Sequence, residues 1–228
     1  MSQRDPNVDS VELVAAELGS LCDDLVLVGG CAVGLLITDT GRPPVRATKD
    51  VDLLAEVLSM PDYYLLHQKL EAKGFRPDGE EVLCRWQKDG MLIDVMPTED
   101  ILGFANRWYP LALQTAIEHQ LPSGKILKVI SPTLFLATKI EAFRGRGNGD
   151  YSHHDIEDII NLFDGRPEIL DEIRSASDEV SSFIVDELEA FLSDSRFVDH
   201  LPWHMMGDDA NQARIVIVLE RLRTVVGL

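Results

Sequence analysis

The chain has 228 residues, 45% of them hydrophobic, and a formal net charge of −18 at pH 7. That length suits one large domain or two small ones with a genuine core, and the charge disfavours non-specific binding along a nucleic-acid backbone, which rests on Lys and Arg neutralising phosphates. No apolar run approaches a membrane span and the opening MSQRDPNVDS has no signal-peptide pattern, so a cytoplasmic protein without membrane contact is expected, with Cys22, Cys31 and Cys84 as reduced core thiols.

In chain order, Ser10 is read as the N-cap of an amphipathic helix marked by Val11, Leu13, Val14, Leu18 and Leu21. Leu25–Val28 reads as a buried strand, Gly29-Gly30 as a tight turn, and Cys31–Ile37 as a short apolar helix. Paired glycines permit close backbone approach, and the free N–H groups at the helix start can hold a phosphate. Thr38–Lys49 reads as a loop, punctuated by Gly41 and Pro43-Pro44, whose Arg42, Arg46 and Lys49 suit a triphosphate or acceptor contact. In the next strand Asp50 and Asp52 lie two apart and so share a face. Neighbouring carboxylates repel, so removing one is expected to relieve strain. A divalent metal is the expected compensator, because carboxylate oxygens are its preferred ligands.

Pro61 opens a helix over Asp62–Lys73, with Tyr64, Leu65, Leu66 and Leu70 as its apolar stripe and Gly74 as its end. Val82–Gln87 and Met91–Met96 are strand-like around Lys88-Asp89-Gly90, a hairpin signal. If that hairpin extends the same sheet, Asp94 joins Asp50 and Asp52 in a three-carboxylate cluster able to hold two metal ions. Residues 100–120 carry no clear pattern, and Trp108-Tyr109-Pro110 suggests a packed loop; Lys125–Ile130 is one more strand. From Ser131 onward the pattern is helical, with Ser131 as cap, Pro132 first, and Lys139 inside an apolar run. Residues 144–150 (RGRGNGD) read as a flexible basic loop, followed by a helix over His153–Leu162 with Asp155 and Asp158 on one face, then helices near 167–177, 179–193 and 208–226. Ile215, Val218, Leu219, Leu222 and Val226 read as core. The expected class is α/β (α+β): a mixed sheet with flanking helices in residues 1–130 as the catalytic domain, and a helical domain in 131–228 that contributes to the active site.

A strand ending in Gly-Gly, a helix, the segment Arg46-x-Thr48-x-Asp50-h-Asp52 and the later strand aspartate Asp94 resemble the polymerase-β-type nucleotidyltransferase superfamily, and within it the AbiEii/AbiGii toxin family. The helical half is similar to that family in Leu136–Phe143, in the arginine-glycine loop, and in His154–Ile159. The resemblance spans roughly residues 25–165 and does not extend to residues 166–228. It implies transfer of NMP from an NTP to an acceptor hydroxyl. Asp50 and Asp52 would bind both Mg²⁺ ions, and Asp94 would bind the catalytic ion and help activate the acceptor. Gly29 and Gly30 would receive the triphosphate, with Arg46 and Thr48 in the nucleotide-binding segment. Lys139 would contact a phosphate or the acceptor, oriented by Asp155 or Asp158. Many superfamily members carry serine where this chain has Gly30, so that hydroxyl contact is missing. The acceptor implied by the toxin family is a tRNA 3′ end, with a cognate antitoxin as partner; other members modify aminoglycoside or lincosamide hydroxyls. Arg42, Arg46, Lys49, Arg144 and Arg146 flank the expected site and favour an RNA 3′ end over a cationic small molecule.

In-line attack on an α-phosphate builds charge on the attacking and leaving oxygens, which two metals held by a carboxylate cluster stabilise. On this reading Lys139→Met cuts turnover and changes stability little. Two other readings compete. Gly29, Gly30 and Gly34 with Asp50 further on suggest a dinucleotide-binding fold, although the order is G-G-x-x-x-G and no series of βα units follows. A docking module without catalysis is the second, opposed by the cost of three clustered carboxylates without metal. His153-His154-Asp155 also suits a metal phosphohydrolase dyad, but no further histidine has matching spacing.

Overall fold

A computed structural model describes residues 5–43, 45–78, 83–103 and 105–227; Pro44 and Val82 of the expected loop and strand lie outside them. The described residues form two compact units, one from 5–35 and 46–131, the other from 36–45 and 132–227. Residues 36–45 therefore leave the first unit and return, a detour that a single boundary near 130 does not contain.

The first unit opens with α1 (Pro6–Leu18), which begins four residues before the expected cap. Asp5 is the N-cap, its carboxylate accepting the Asn7 N–H, and Pro6 stands at the first helical position. Val11, Val14 and Leu18 are buried. A 3₁₀ turn over Gly19–Asp24 leads to β1 (Leu25–Leu27), then α2 (Gly29–Leu36), β2 (Val51–Ala55) and α3 (Met60–Ala72). Ser59 caps α3, and its buried face is Tyr63, Leu66 and Leu70. Tyr64 and Leu65, expected inside, are 59% and 56% exposed; two adjacent aromatics and two adjacent leucines fit either of two stripes one residue apart, and packing selects one.

After β3 (Arg76–Pro77) come β4 (Arg85–Lys88) and β5 (Met91–Pro97), joined by Asp89 and Gly90 at φ 49° and 84°. Two positive φ values make the primed hairpin turn, and Asp-Gly tolerates them. The unpatterned stretch contains α4 (Tyr109–Gln114) and β6 (Ile117–Gln120), so Tyr109-Pro110 begins a helix rather than a loop, with Trp108 buried before it. β7 (Ile126–Val129) completes a seven-stranded sheet in the order β3-β4-β5-β2-β1-β7-β6. β2 pairs in parallel with β5 and antiparallel with β1, and β1 pairs in parallel with β7. An antiparallel pair at the glycine-bearing strand excludes the all-parallel dinucleotide-binding sheet.

The second unit is helical: α5 (Pro132–Arg146), α6 (His154–Gly165), α7 (Ile169–Ser175), α8 (Asp178–Ser193), α9 (Ser195–His200), α10 (Asp209–Ala213) and α11 (Ile215–Val226). α5 is central, with every residue from Pro132 to Ile140 buried. Ser131 does not cap it, since its Oγ is buried with no hydrogen-bond partner. α5 also runs through Arg144, Gly145 and Arg146, which were expected in a loop. The last expected helix is broken at Arg214, and Val218 and Leu222 are the buried members of its stripe. Residues 38–43 are tied to α6: the Thr38 and Asp39 N–H groups donate to the Gly165 carbonyl, and Arg42 pairs with Asp164 and donates to Asn161. Among the described residues no helix is long and apolar enough to cross a membrane.

Candidate active site

Hydrophobic β2 and β5 side chains hold the two strands in parallel register, and that register sets Asp52 opposite Asp94. Asp50 sits just before β2, two residues from Asp52. The three aspartates therefore converge at one end of two neighbouring strands, as alternation and the hairpin implied. Gly29 comes to the same place. The Val28 N–H donates to the Asp52 carbonyl at 2.9 Å, and Gly29 has φ 65°. A Cβ on Gly29 would stand 1.8 Å from Asp52 Oδ2, so only glycine lets this carboxylate lie against the start of α2. Gly30 follows, buried in the first turn.

The segment before Asp50 is held by a residue the sequence did not single out. Asn7 is buried, its Nδ2 donates to the Arg46 carbonyl at 3.0 Å, and its Oδ1 accepts the Thr48 N–H at 2.8 Å. The Thr48 hydroxyl lies 3.1 Å from the Asp50 carbonyl oxygen, to which it donates, and 2.8 Å from Cys31 Sγ. Thr48 thus positions Asp50. Burial pushes the Cys31 thiol up to about 12, against the Thr48 hydrogen bond that lowers it, so it is no nucleophile here.

The larger omission is Arg85. Its Nη2 lies 2.5 Å from Asp50 Oδ2 and 2.7 Å from Asp94 Oδ2, and its Nε donates to Asp94 Oδ1 at 2.8 Å. The fork hydrogen-bonded to Asp94 holds the guanidinium well above its ordinary value, against burial that lowers it. Arg85 thereby supplies the compensating charge expected of a metal alone. Two expectations fall with this. Removing Asp50 breaks an ion pair rather than relieving a repulsion, and the carboxylate cluster without metal is not prohibitively costly. The hairpin contained the signal: Lys88 pairs with Met91 across the turn, and counting outward pairs Arg85 with Asp94.

Three carboxylates are hard oxygen donors of the kind Mg²⁺ takes, and the absent side chain at Gly29 gives Asp52 room at the helix start. By donor type these residues suit magnesium, with Arg85 as a competing cation on Asp50 and Asp94. The other candidate group does not fit. His153, His154 and Asp155 have potential ligand atoms within 4.8 Å of one another. Asp155, however, accepts from Arg146 Nε at 2.9 Å and Nη2 at 2.8 Å, and pairs with Lys139 at 3.2 Å. A divalent ion there would face two fixed cations. His153 Nδ1 instead accepts the Asp155 N–H as the N-cap of α6.

Lys139 belongs to the helical unit and is 7% exposed. Its ammonium stands 2.7 Å from Asp158 Oδ2, and Asp155 and Asp158 are both buried. None of the three therefore lies on a solvated helix face. Burial pushes the Asp155 carboxyl up, but the Arg146 hydrogen bonds and the Lys139 and Arg146 charges outweigh it and hold it below its usual value. Arg144 pairs with Glu187, and Arg42 with Asp164. Of the cations expected to meet an RNA end, Arg42, Arg144 and Arg146 have acidic partners within their own unit.

No family model matches the chain, and no curated protein matches it in sequence. Solved structures do. An antigenic nucleotidyltransferase-like protein from Paracoccidioides brasiliensis aligns with TM-score 0.53 at 23% identity, over 84% of this chain and 91% of that one. A protein from H. pylori, provisionally described as a nucleotidyltransferase, aligns with TM-score 0.52 at 11% identity, over 99% of this chain and 96% of that one. At these identities the likeness concerns the fold, and the fold of this chain is that of nucleotidyltransferase-like proteins.

Proposed function

We propose that the protein is a metal-dependent nucleotidyltransferase that moves NMP from an NTP to an acceptor hydroxyl. The observation that carries this reading is the convergence of Asp50, Asp52 and Asp94 on paired strands beside Gly29, in a fold shared with nucleotidyltransferase-like proteins. Asp50, Asp52 and Asp94 would hold Mg²⁺, which when bound neutralises charge on the attacking and leaving oxygens of an α-phosphate. The chain's own groups do the rest. The Gly29 and Gly30 N–H groups offer hydrogen bonds to the triphosphate at a helix start. Asp94, the most buried of the three, is the carboxylate assigned to accept the acceptor's proton. Thr48 and Asn7 fix the backbone that carries Asp50, and Arg46 is a candidate for a nucleotide contact.

The acceptor reading divides. The AbiEii-like resemblance favours an RNA 3′ end, with a toxin role and a cognate antitoxin. The ion pairs of Arg42, Arg144 and Arg146, with the net charge of −18, favour a cationic small molecule such as an aminoglycoside, since few cations remain to meet a polyanion. Incubation with each labelled NTP and Mg²⁺, with total RNA in one arm and a drug panel in the other, separates these. Label on RNA supports the first and label on a drug the second. No label in either arm, with every NTP and with Mg²⁺ or Mn²⁺, removes the transferase reading.

A further inference from the structure

Arg85 occupies the place where the proposed chemistry needs a metal. Its guanidinium touches one oxygen of Asp50 and both oxygens of Asp94, the atoms a divalent ion would need as ligands. This is a built contact rather than a surface accident. β4 and β5 are joined by a two-residue turn that fixes Arg85 opposite Asp94. The fork geometry matches a carboxylate bidentately, as only arginine does. The residue is also placed to leave: its side chain is 26% exposed, so it can withdraw into water without dismantling the core.

Resting on the reading of the site as a metal-dependent nucleotidyltransferase, we propose that Arg85 is a resident counter-cation that closes the metal site, keeps the carboxylate cluster stable without metal, and must withdraw from Asp50 and Asp94 before a divalent ion enters. Three charges of one sign gathered on two strands repel, and Arg85 removes that repulsion in the metal-free protein. A divalent ion binds those oxygens poorly while a guanidinium is held against them at hydrogen-bond distance, because the two cations repel and one lone pair of each contacted oxygen is already engaged. Metal affinity is therefore the difference between two cations competing for one set of carboxylates. Once displaced, the guanidinium is a free anion-binding fork beside the site, suited to the phosphates of an arriving nucleotide.

The test is Mn²⁺ binding, by calorimetry and by the loss of the free-ion electron spin resonance signal, to the full chain and to Arg85→Met and Arg85→Lys. Removing the competitor should tighten Mn²⁺ binding at least about tenfold in Arg85→Met, with Arg85→Lys between that variant and the parent. In EDTA, Arg85→Met should melt below the parent, and Mn²⁺ should raise its melting temperature more than the parent's. A second measurement needs no variant: the Arg85 Nε–H resonance of the parent should move as Mg²⁺ is added and saturate with binding. If Mn²⁺ binds the parent and a folded Arg85→Met equally well, or the resonance stays fixed at saturating Mg²⁺, Arg85 is no competitor, while the transferase reading stands. If neither parent nor variant binds Mn²⁺ at millimolar concentration, the inference falls together with the metal-dependent reading.

Discussion

Lys139→Met is the perturbation that most sharply separates a buried structural lysine from one pointing into open space. The ammonium stands 2.7 Å from Asp158 and 3.2 Å from Asp155, in a residue 7% exposed, with partners 1% and 0% exposed. Two unit charges about 4 Å apart attract by about 4 kcal/mol at an effective dielectric of about 20. Part of that is offset by the desolvation of the ammonium itself. What remains when one member of such a group is deleted, leaving carboxylates buried without its charge, is about 3–5 kcal/mol. Methionine keeps the stem's packing, so the loss reports the charge. This replaces the sequence expectation of a small effect, which rested on the stem's packing being kept. Urea unfolding followed by circular dichroism should show a lower midpoint at unchanged slope, and the melting temperature should fall by on the order of 10 °C. A loss below about 1 kcal/mol would mean that the Lys139–Asp155–Asp158 group is neutral to stability, and the structural role assigned to it would be refuted.

Other consequences are equally direct. Gly29→Ala should destabilise by about 1–3 kcal/mol through its positive φ and should abolish transfer, because the new Cβ evicts the Asp52 carboxylate; a stable, active Gly29→Ala in a combined melting and activity assay would show that Asp52 does not need its place against α2. Cys31 and Cys84, buried and pushed up to about 12 and about 11, should resist a thiol reagent at pH 8 in the native protein and react on unfolding. Rapid native labelling of either would contradict the burial. The Asp155 carboxyl lies below its unfolded value, so its stabilisation is complete above about pH 4 and is lost as pH falls through the folded value. Melting temperature against pH should therefore fall on the acid side, and Asp155→Asn should flatten that limb. An unchanged limb would remove Asp155 as its source.

Much of the sheet was legible because alternation and turn chemistry are local. Asp50 and Asp52 share a face by period, and Asp89-Gly90 sets the register that brings Asp94 to them. What was not legible depends on tertiary choice. Either stripe of α3 satisfies helical spacing, and burial of Tyr63 rather than Tyr64 is decided by what packs against it. Glycines 145 and 147 signal a loop, yet α5 continues through Arg146 because Phe143 packs there and Arg144 and Arg146 find acidic partners. The role of Arg85 was hidden for a different reason. Its pairing with Asp94 follows from the hairpin, but its contact with Asp50 depends on β5 lying beside β2, which no local pattern specifies. The glycine-rich strand–helix unit suggested a phosphate cradle, and its close approach to Asp52 became visible only with Gly29 φ and the Val28–Asp52 hydrogen bond in place.

The central claim is that Asp50, Asp52 and Asp94 drive transfer of a nucleotide through its α-phosphate. It is tested most directly by running the reaction with NTP labelled at the α-phosphate in one tube and at the γ-phosphate in another, for the parent and for Asp52→Asn. The account predicts that the α label reaches the acceptor and the γ label leaves as pyrophosphate, that both need a divalent metal, and that Asp52→Asn does neither while remaining folded. Transfer of the γ label, or undiminished transfer by a folded Asp52→Asn, would contradict it.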